Sequence, residues 1–212
     1  MSSGGLMPSF RLVATFAVCL TWFGIAAGQD RGFSGSVQID SSRNLTLRIL
    51  ERRAASELFS TARQQGALNI CNPEMASVAE TRSGRFYQCM RGFEGTAACW
   101  ISINLVTGGA GPVCTRGILG AEIPVKGDYW FSREDEDPEK QPEYMAFTIN
   151  GAAAKAMYGA MSMPAIKDEC TGGKYKDRKG LQCSLSNEGE YSCSFGVPLD
   201  PKQKELFFAT SC

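Results

Sequence analysis

Leu45, Leu47 and Ile49 alternate with Thr46 and Arg48, the two-residue period of a strand with one buried face. The period then changes. Ala54, Ala55, Leu58, Phe59 and Ala62 fall at i, i+1, i+4, i+5 and i+8, which gathers them into one apolar stripe on a helix. Later in the chain the succession returns, as Met145 to Asn150 leads into Ala153, Ala154, Met157, Tyr158 and Met161. A shift of 99 positions carries Leu58 and Phe59 onto Met157 and Tyr158, and Cys71 onto Cys170. The helices are expected to end near Gly66 and before Pro164, because glycine accepts a left-handed cap and the residue before proline leaves the helical region.

Beyond each helix the pattern gives a cysteine, a polar loop (Asn72 to Ser83 or Thr171 to Lys179) and then a hairpin. The hairpins run from Cys89 through Glu94-Gly95 to Cys99, and from Cys183 through Glu188-Gly189 to Cys193, with nine residues between the cysteines in both. Odd spacing suits a cross-strand pair, so Cys89–Cys99 and Cys183–Cys193 are the expected bridges. Cys71–Cys114 and Cys170–Cys212 would then tie each helix exit to the end of its repeat. The rival scheme, first to second and third to fourth, stays open, since four cysteines allow three connectivities. Each bridge would contribute about 2–4 kcal/mol by restricting the unfolded chain. Gly32 to Asp40 alternates weakly and reads as a further strand, Ser41 to Asn44 as a turn, and Ile123 to Phe131 as a strand or docking segment.

The expected fold class is therefore α+β: a tandem duplication of a strand–helix–antiparallel-hairpin unit, disulfide-braced, with each helix packed on an antiparallel sheet. The expected divisions are a cleaved signal peptide over 1–28, a first repeat over 29–119, an inter-repeat segment with an acidic linker over 120–143, and a second repeat over 144–212. The order strand, helix, antiparallel strands is similar to the cystatin architecture. The glutamine-valine-glycine inhibitory loop of that family is missing from both copies, so the similarity implies an arrangement and no inhibitory site.

Composition changes the picture in three places. Arg11 precedes an apolar run from Leu12 to Ala27, with small residues Ala26 and Gly28 before the polar Gln29-Asp30, which is the layout of a secretory signal cleaved after Gly28. The nine cysteines less Cys19 leave eight, an even number suited to disulfides in an oxidising compartment, and no CxxC occurs. Histidine is absent, which excludes Ser-His-Asp and Cys-His catalysis and imidazole-ligated metals. Lys and Arg together balance Asp and Glu at 22 each, so no global field favours nucleic acid or an anionic membrane. The halves differ: 29–125 holds ten Arg and no Lys, whereas nine of the eleven basic residues in 126–212 are Lys.

Candidate chemistry is sparse. Glu134 to Asp137 lacks the glycine and distant glutamate of an EF-hand, and Pro138 and Lys140 interrupt it, so it reads as a solvated linker. Gly108 to Gly111 and Thr171 to Lys174 do not match a phosphate loop and read as turns. Asn44-Leu45-Thr46 is a glycosylation sequon by composition alone. Trp100 is expected to pack in the core on a disulfide, and Tyr129, Trp130 and Phe131 to be buried between the repeats. The candidate binding residues are Lys174, Tyr175, Lys176, Arg178 and Lys179, an aromatic among cations in a loop held by Cys170 and Cys183. No catalytic residue, metal ligand or cofactor is assigned. The expectation is an exported, secreted or periplasmic, non-enzymatic binding protein for a protein or anionic glycan, an inhibitor among the possibilities. No nucleic-acid partner is expected, and no stable membrane insertion after signal cleavage. The alternatives are a carboxylate-dependent secreted hydrolase and a structural envelope or matrix component.

Overall fold

The structure, a computed structural model, describes residues 31–67, 80–92, 94–112, 121–132, 142–169 and 171–208. Its elements in chain order are β1 (Arg31–Ile39), β2 (Asn44–Ile49), α1 (Arg52–Gln64), β3 (Glu80–Ser83), β4 (Tyr87–Arg91), β5 (Ala97–Asn104), β6 (Ile123–Phe131), β7 (Tyr144–Asn150), α2 (Gly151–Ala160), β8 (Ile166–Lys167), β9 (Lys174–Arg178), β10 (Leu181–Leu185) and β11 (Tyr191–Pro198). The strands form one antiparallel sheet in the order β3-β4-β5-β2-β1-β6-β7-β11-β10-β9-β8.

That order overturns the expected fold class. Among the described residues strand accounts for 47% and helix for 16%, and the sheet is a curled, eleven-stranded half-barrel rather than a tandem of strand–helix–hairpin units. The physical reason lies in the two strands that the alternation marked least. β1 and β6 pair with each other, from Arg31 opposite Tyr129 to Val37 opposite Ile123, and each pairs on its other side with β2 or β7. The segment assigned to an inter-repeat connection is thus a central strand. Lys174–Arg178 and Glu80–Ser83, expected as loops, are strands as well.

One side of the sheet carries the core. Register places Cys89, Cys99, Ile49, Gly35 and Val125 in one line across β4, β5, β2, β1 and β6, and Gly127, Ile149, Cys193 and Cys183 in a second line from β6 to β10. Both helices lie on this side. The α1 stripe Ala54, Ala55, Leu58, Phe59 and Ala62 is fully buried, and Ala153, Ala154 and Met157 of α2 are buried likewise. Gly66, at φ 73°, follows α1, and α2 ends at Ala160, as the sequence indicated. Small residues on both helices let them approach the bridges: Cys99 Sγ lies 3.3 Å from Ala55 O and Cys193 Sγ 3.5 Å from Ala154 O. A bridged sulfur has no proton, so these are packing contacts. The bridges themselves, Cys89–Cys99 and Cys183–Cys193, join directly opposed residues of β4–β5 and β10–β11.

The sheet curls towards its core side. β4 and β11 are six strand steps apart, roughly 29 Å in a flat sheet. Yet Tyr87 Oη on β4 donates to Leu199 O, just past β11, at 3.1 Å. Two core-facing glycines accommodate close backbone approach within the central strands. A Cβ at Gly35 would sit 2.2 Å from Arg48 O, and one at Gly127 would sit 2.0 Å from Thr148 O. Strand glycines with such neighbours mark the points where adjacent chains come closest.

Gly127→Ala is therefore expected to destabilise the fold by at least about 2 kcal/mol, since a backbone carbonyl cannot rotate away as a side chain can. Gly32→Ala, with nothing within 4 Å of its Cβ, should stay within about 0.5 kcal/mol of the parent. Tyr87→Phe leaves the buried Leu199 carbonyl without its donor and should cost about 1–2 kcal/mol. Urea unfolding midpoints for the three variants check the ranking.

Candidate functional site

The basic segment flagged by the sequence is an edge-region strand whose residues diverge. Lys176 is opposite Cys183, so Lys174, Lys176 and Arg178 share the core side of the sheet while Tyr175 and Asp177 face outward. Lys176 Nζ donates to Tyr158 O at 2.9 Å and Met161 O at 2.8 Å, and lies 4.6 Å from the Tyr158 ring centroid. These carbonyls are the C-terminal end of α2, where a cation complements the helix dipole. Arg178 and Lys179 sit at the turn into β10, close against Gly108 of the loop after β5. Lys179 also approaches Glu205 at 4.0 Å, and exposed Lys174 lies opposite Lys167. Burial pushes the Asp177 carboxyl up, with Arg178 opposing. The five residues do not converge on a single surface.

A second charged cluster joins α1 to the central strands. Glu57 accepts from Arg31 of β1, from Arg53 Nε at 3.0 Å and from Tyr129 Oη of β6 at 3.0 Å. Burial pushes the Glu57 carboxyl up, but the hydrogen bonds from Arg53, Tyr129 and Arg31 outweigh it and the net direction is down. Burial, reinforced by the bond to Glu57, pushes the Tyr129 phenol up to about 12. A carboxylate so supplied with donors stays ionised at neutral pH and is poorly suited to donate a proton. Its role is to dock the helix.

The outer side of the sheet is polar, and here the sequence expectations need correction. Trp100 is not packed on the Cys89–Cys99 bridge. Neighbouring residues of a strand point to opposite faces, so Cys99 enters the core and the half-exposed Trp100 lies outside it. Of Tyr129, Trp130 and Phe131, only Tyr129 is buried; Trp130 faces outward, opposite Ala146. In register with Trp100 stand Gln88 on β4 and Arg48 on β2. Arg48 is exposed and Gln88 half-buried. Among the described residues, none of these three side chains has a hydrogen bond or ion pair. The next line along holds Ser102 opposite Thr46, whose hydroxyls are buried without partners, with Gly111 against Ser102 Oγ.

The equivalent line in the other half, counted from its bridge, is Gln182, Ser194 and Thr148. There Thr148 Oγ1 and Ser194 Oγ are 3.1 Å apart and hydrogen-bonded, and Gln182 also has a partner. No single-sequence signal joins Gln88, Trp100 and Arg48, because their alignment depends on the register of three strands.

Other flagged features have local roles. Gly108 and Gly172, at φ 68° and 75°, are turn residues. The sequon is committed internally: Asn44 Nδ2 donates to Asp40 Oδ2 at 3.0 Å and Asn44 Oδ1 accepts from Asn104 Nδ2 at 2.9 Å. Glu134 to Asp137, and the expected Cys71–Cys114 and Cys170–Cys212 bridges, lie outside the described residues. Among the described residues no acidic or cysteine cluster could hold a metal ion, and no helix is long and apolar enough to cross a membrane.

The Glu57–Tyr129 pair gives the stability curve two limbs. An unfolded tyrosine ionises near 10.0 and Tyr129 at about 12, so its contribution is complete below pH 10 and is lost as pH rises towards 12. Glu57 is depressed below 4.5, so its contribution is present above that value and is lost as pH falls through the folded value. Tyr129→Phe should flatten the alkaline fall and Glu57→Gln the acid fall, read from melting temperature against pH. Lys176→Met should cost about 1–2 kcal/mol by uncapping α2, visible in chemical denaturation.

No family model, no curated protein and no solved structure matches the chain.

Proposed function

We propose that the chain is an exported, disulfide-stabilised protein that binds a partner without turning it over. The observation that carries this reading is the division of polar groups between the two sides of the sheet. Lys176 and Glu57, charges on the core side, hold helices in place, whereas Gln88, Trp100 and Arg48 stand on the outer side with their donors uncommitted among the described residues. Two buried cross-strand bridges support the second element of the proposal, since such bonds persist in an oxidising compartment. A rigid, braced sheet loses little conformational entropy when a ligand settles on it. The partner classes are those of the sequence reading, an anionic glycan or a protein, in a secreted or periplasmic setting.

The test is to titrate the purified, oxidised chain against a panel of glycans and proteins while assaying the same mixtures for product. Saturable binding with no product is the expected result. Product formation that disappears when one carboxylate is replaced would move the protein to the hydrolases. Self-association with no saturable partner would make it a structural component.

A further inference from the structure

We infer that the outer-face line Gln88–Trp100–Arg48 is a binding site for a carboxylated polysaccharide, a chain of uronate-type sugars. The inference rests on the binding reading above and gives it a place and a ligand class.

Three observations carry it. First, the groups are free: the Arg48 guanidinium, the Trp100 indole and the Gln88 amide have no partner among the described residues. Polar side chains on a folded surface face water by default, but in the equivalent line of the other half Thr148 and Ser194 hydrogen-bond to each other and Gln182 also has a partner. At this line, one step from the bridge, the donors are unpaired in one half and the two hydroxyls are paired in the other.

Second, the chemistry is specific. Trp100 stands between the other two, Gln88 on one side and Arg48 on the other, each a single strand step away. Opposed residues are about 5 Å apart, so the line spans roughly 10 Å on a rigid surface. An indole flanked in this way suits a pyranose ring, whose apolar face stacks on the aromatic while its substituents reach the flanking donors. Arg48 offers a planar fork to a carboxylate, and Gln88 offers an amide to a hydroxyl.

Third, charge selects the ligand's sign. The line contains one cation and no carboxylate, and the neighbouring outer positions Met90, Ala98, Thr46 and Ser102 are uncharged. A neutral glycan would leave Arg48 unused. An acidic peptide would use Arg48 but would not need the indole between the two donors.

The experiment is titration of the full-length oxidised protein with polygalacturonate, its methyl ester, dextran, dextran sulfate and poly-L-glutamate, followed by calorimetry or interferometry. Polygalacturonate should bind, and esterification should weaken it roughly tenfold or more, the loss of one charge-assisted pair. Trp100→Ala should cost a similar factor, Trp100→Phe much less, and Arg48→Gln should abolish the preference for the free acid over the ester. Asp128→Asn, on the same face but in another line, should change affinity less than twofold. Arg48 is exposed, so its variant tests the site even where Trp100→Ala disturbs folding.

Any of three results would overturn the proposal: no binding to polygalacturonate, equal binding to its ester, or poly-L-glutamate or dextran sulfate binding that matches polygalacturonate and ignores Trp100. If other panel members bind while polygalacturonate does not, this site assignment fails and the binding reading stands. If nothing binds, both fail.

Discussion

The pairing of β1 with β6 is the interaction on which the remaining structure depends. Without it the chain would divide into two sheets, each with one helix and a small core of its own. Small cores bury too little of the surface exposed in the unfolded chain to be comfortably stable. Joining them edge to edge removes two exposed strand edges and lets one continuous apolar face run from Tyr87 to Leu181. The glycines at 35 and 127 belong to this junction. They admit the neighbouring carbonyls of Arg48 and Thr148 on the core side, where any side chain would hold the strands apart.

Once the sheet is continuous and curled, its two sides have different duties. The core side receives both helices, and each helix is fixed from its own half. α2 is held at its C-terminus by Lys176, while α1 is held by Glu57 to β1 and β6. An aromatic on each helix also carries a cation from the sheet, Arg91 over Phe59 at 4.1 Å and Lys176 over Tyr158 at 4.6 Å. Long basic side chains do this well because their methylene stems pack on apolar surface before the charge is reached. A basic residue beside an aromatic is therefore poor evidence for a ligand until the sheet face is known.

This explains what was legible in the sequence and what was not. The α1 stripe, the Ala153, Ala154 and Met157 part of the α2 stripe, the helix ends and the paired cysteines at nine-residue spacing all rest on periodicities within a dozen or so residues, and the structure contains them. Tyr158, by contrast, is partly buried, and Met161 lies past the end of α2. The sheet order rests on contacts between distant segments, and Gly32 to Asp40 carries too few large apolar residues to advertise a central position. β9 was hidden for another reason. Its core-facing positions are Lys174, Lys176 and Arg178, so its alternation has no hydrophobic phase, and it reads as a charged loop. The misplacement of Trp100 follows from proximity in sequence: adjacency to Cys99 suggested a shared core, whereas strand geometry sends the two side chains in opposite directions.

The comparison between the halves sharpens what distinguishes a surface from a site. Relative to the bridges, Gln88, Trp100 and Arg48 occupy the places of Gln182, Ser194 and Thr148. The backbone geometry and the bracing are shared, so they do not account for the difference between the two lines. Hydroxyls at adjacent strand positions are short enough to satisfy each other, and Thr148 and Ser194 do so. An indole and a guanidinium in the same two places are both donors with no acceptor, so they cannot satisfy each other by a hydrogen bond. Substituting large, open donors for small, self-satisfying ones changes the chemistry of the face without changing the fold beneath it. One frame thus carries, among the described residues, two different outer surfaces: unpaired donors beside the Cys89–Cys99 bridge and hydrogen-bonded hydroxyls beside the Cys183–Cys193 bridge.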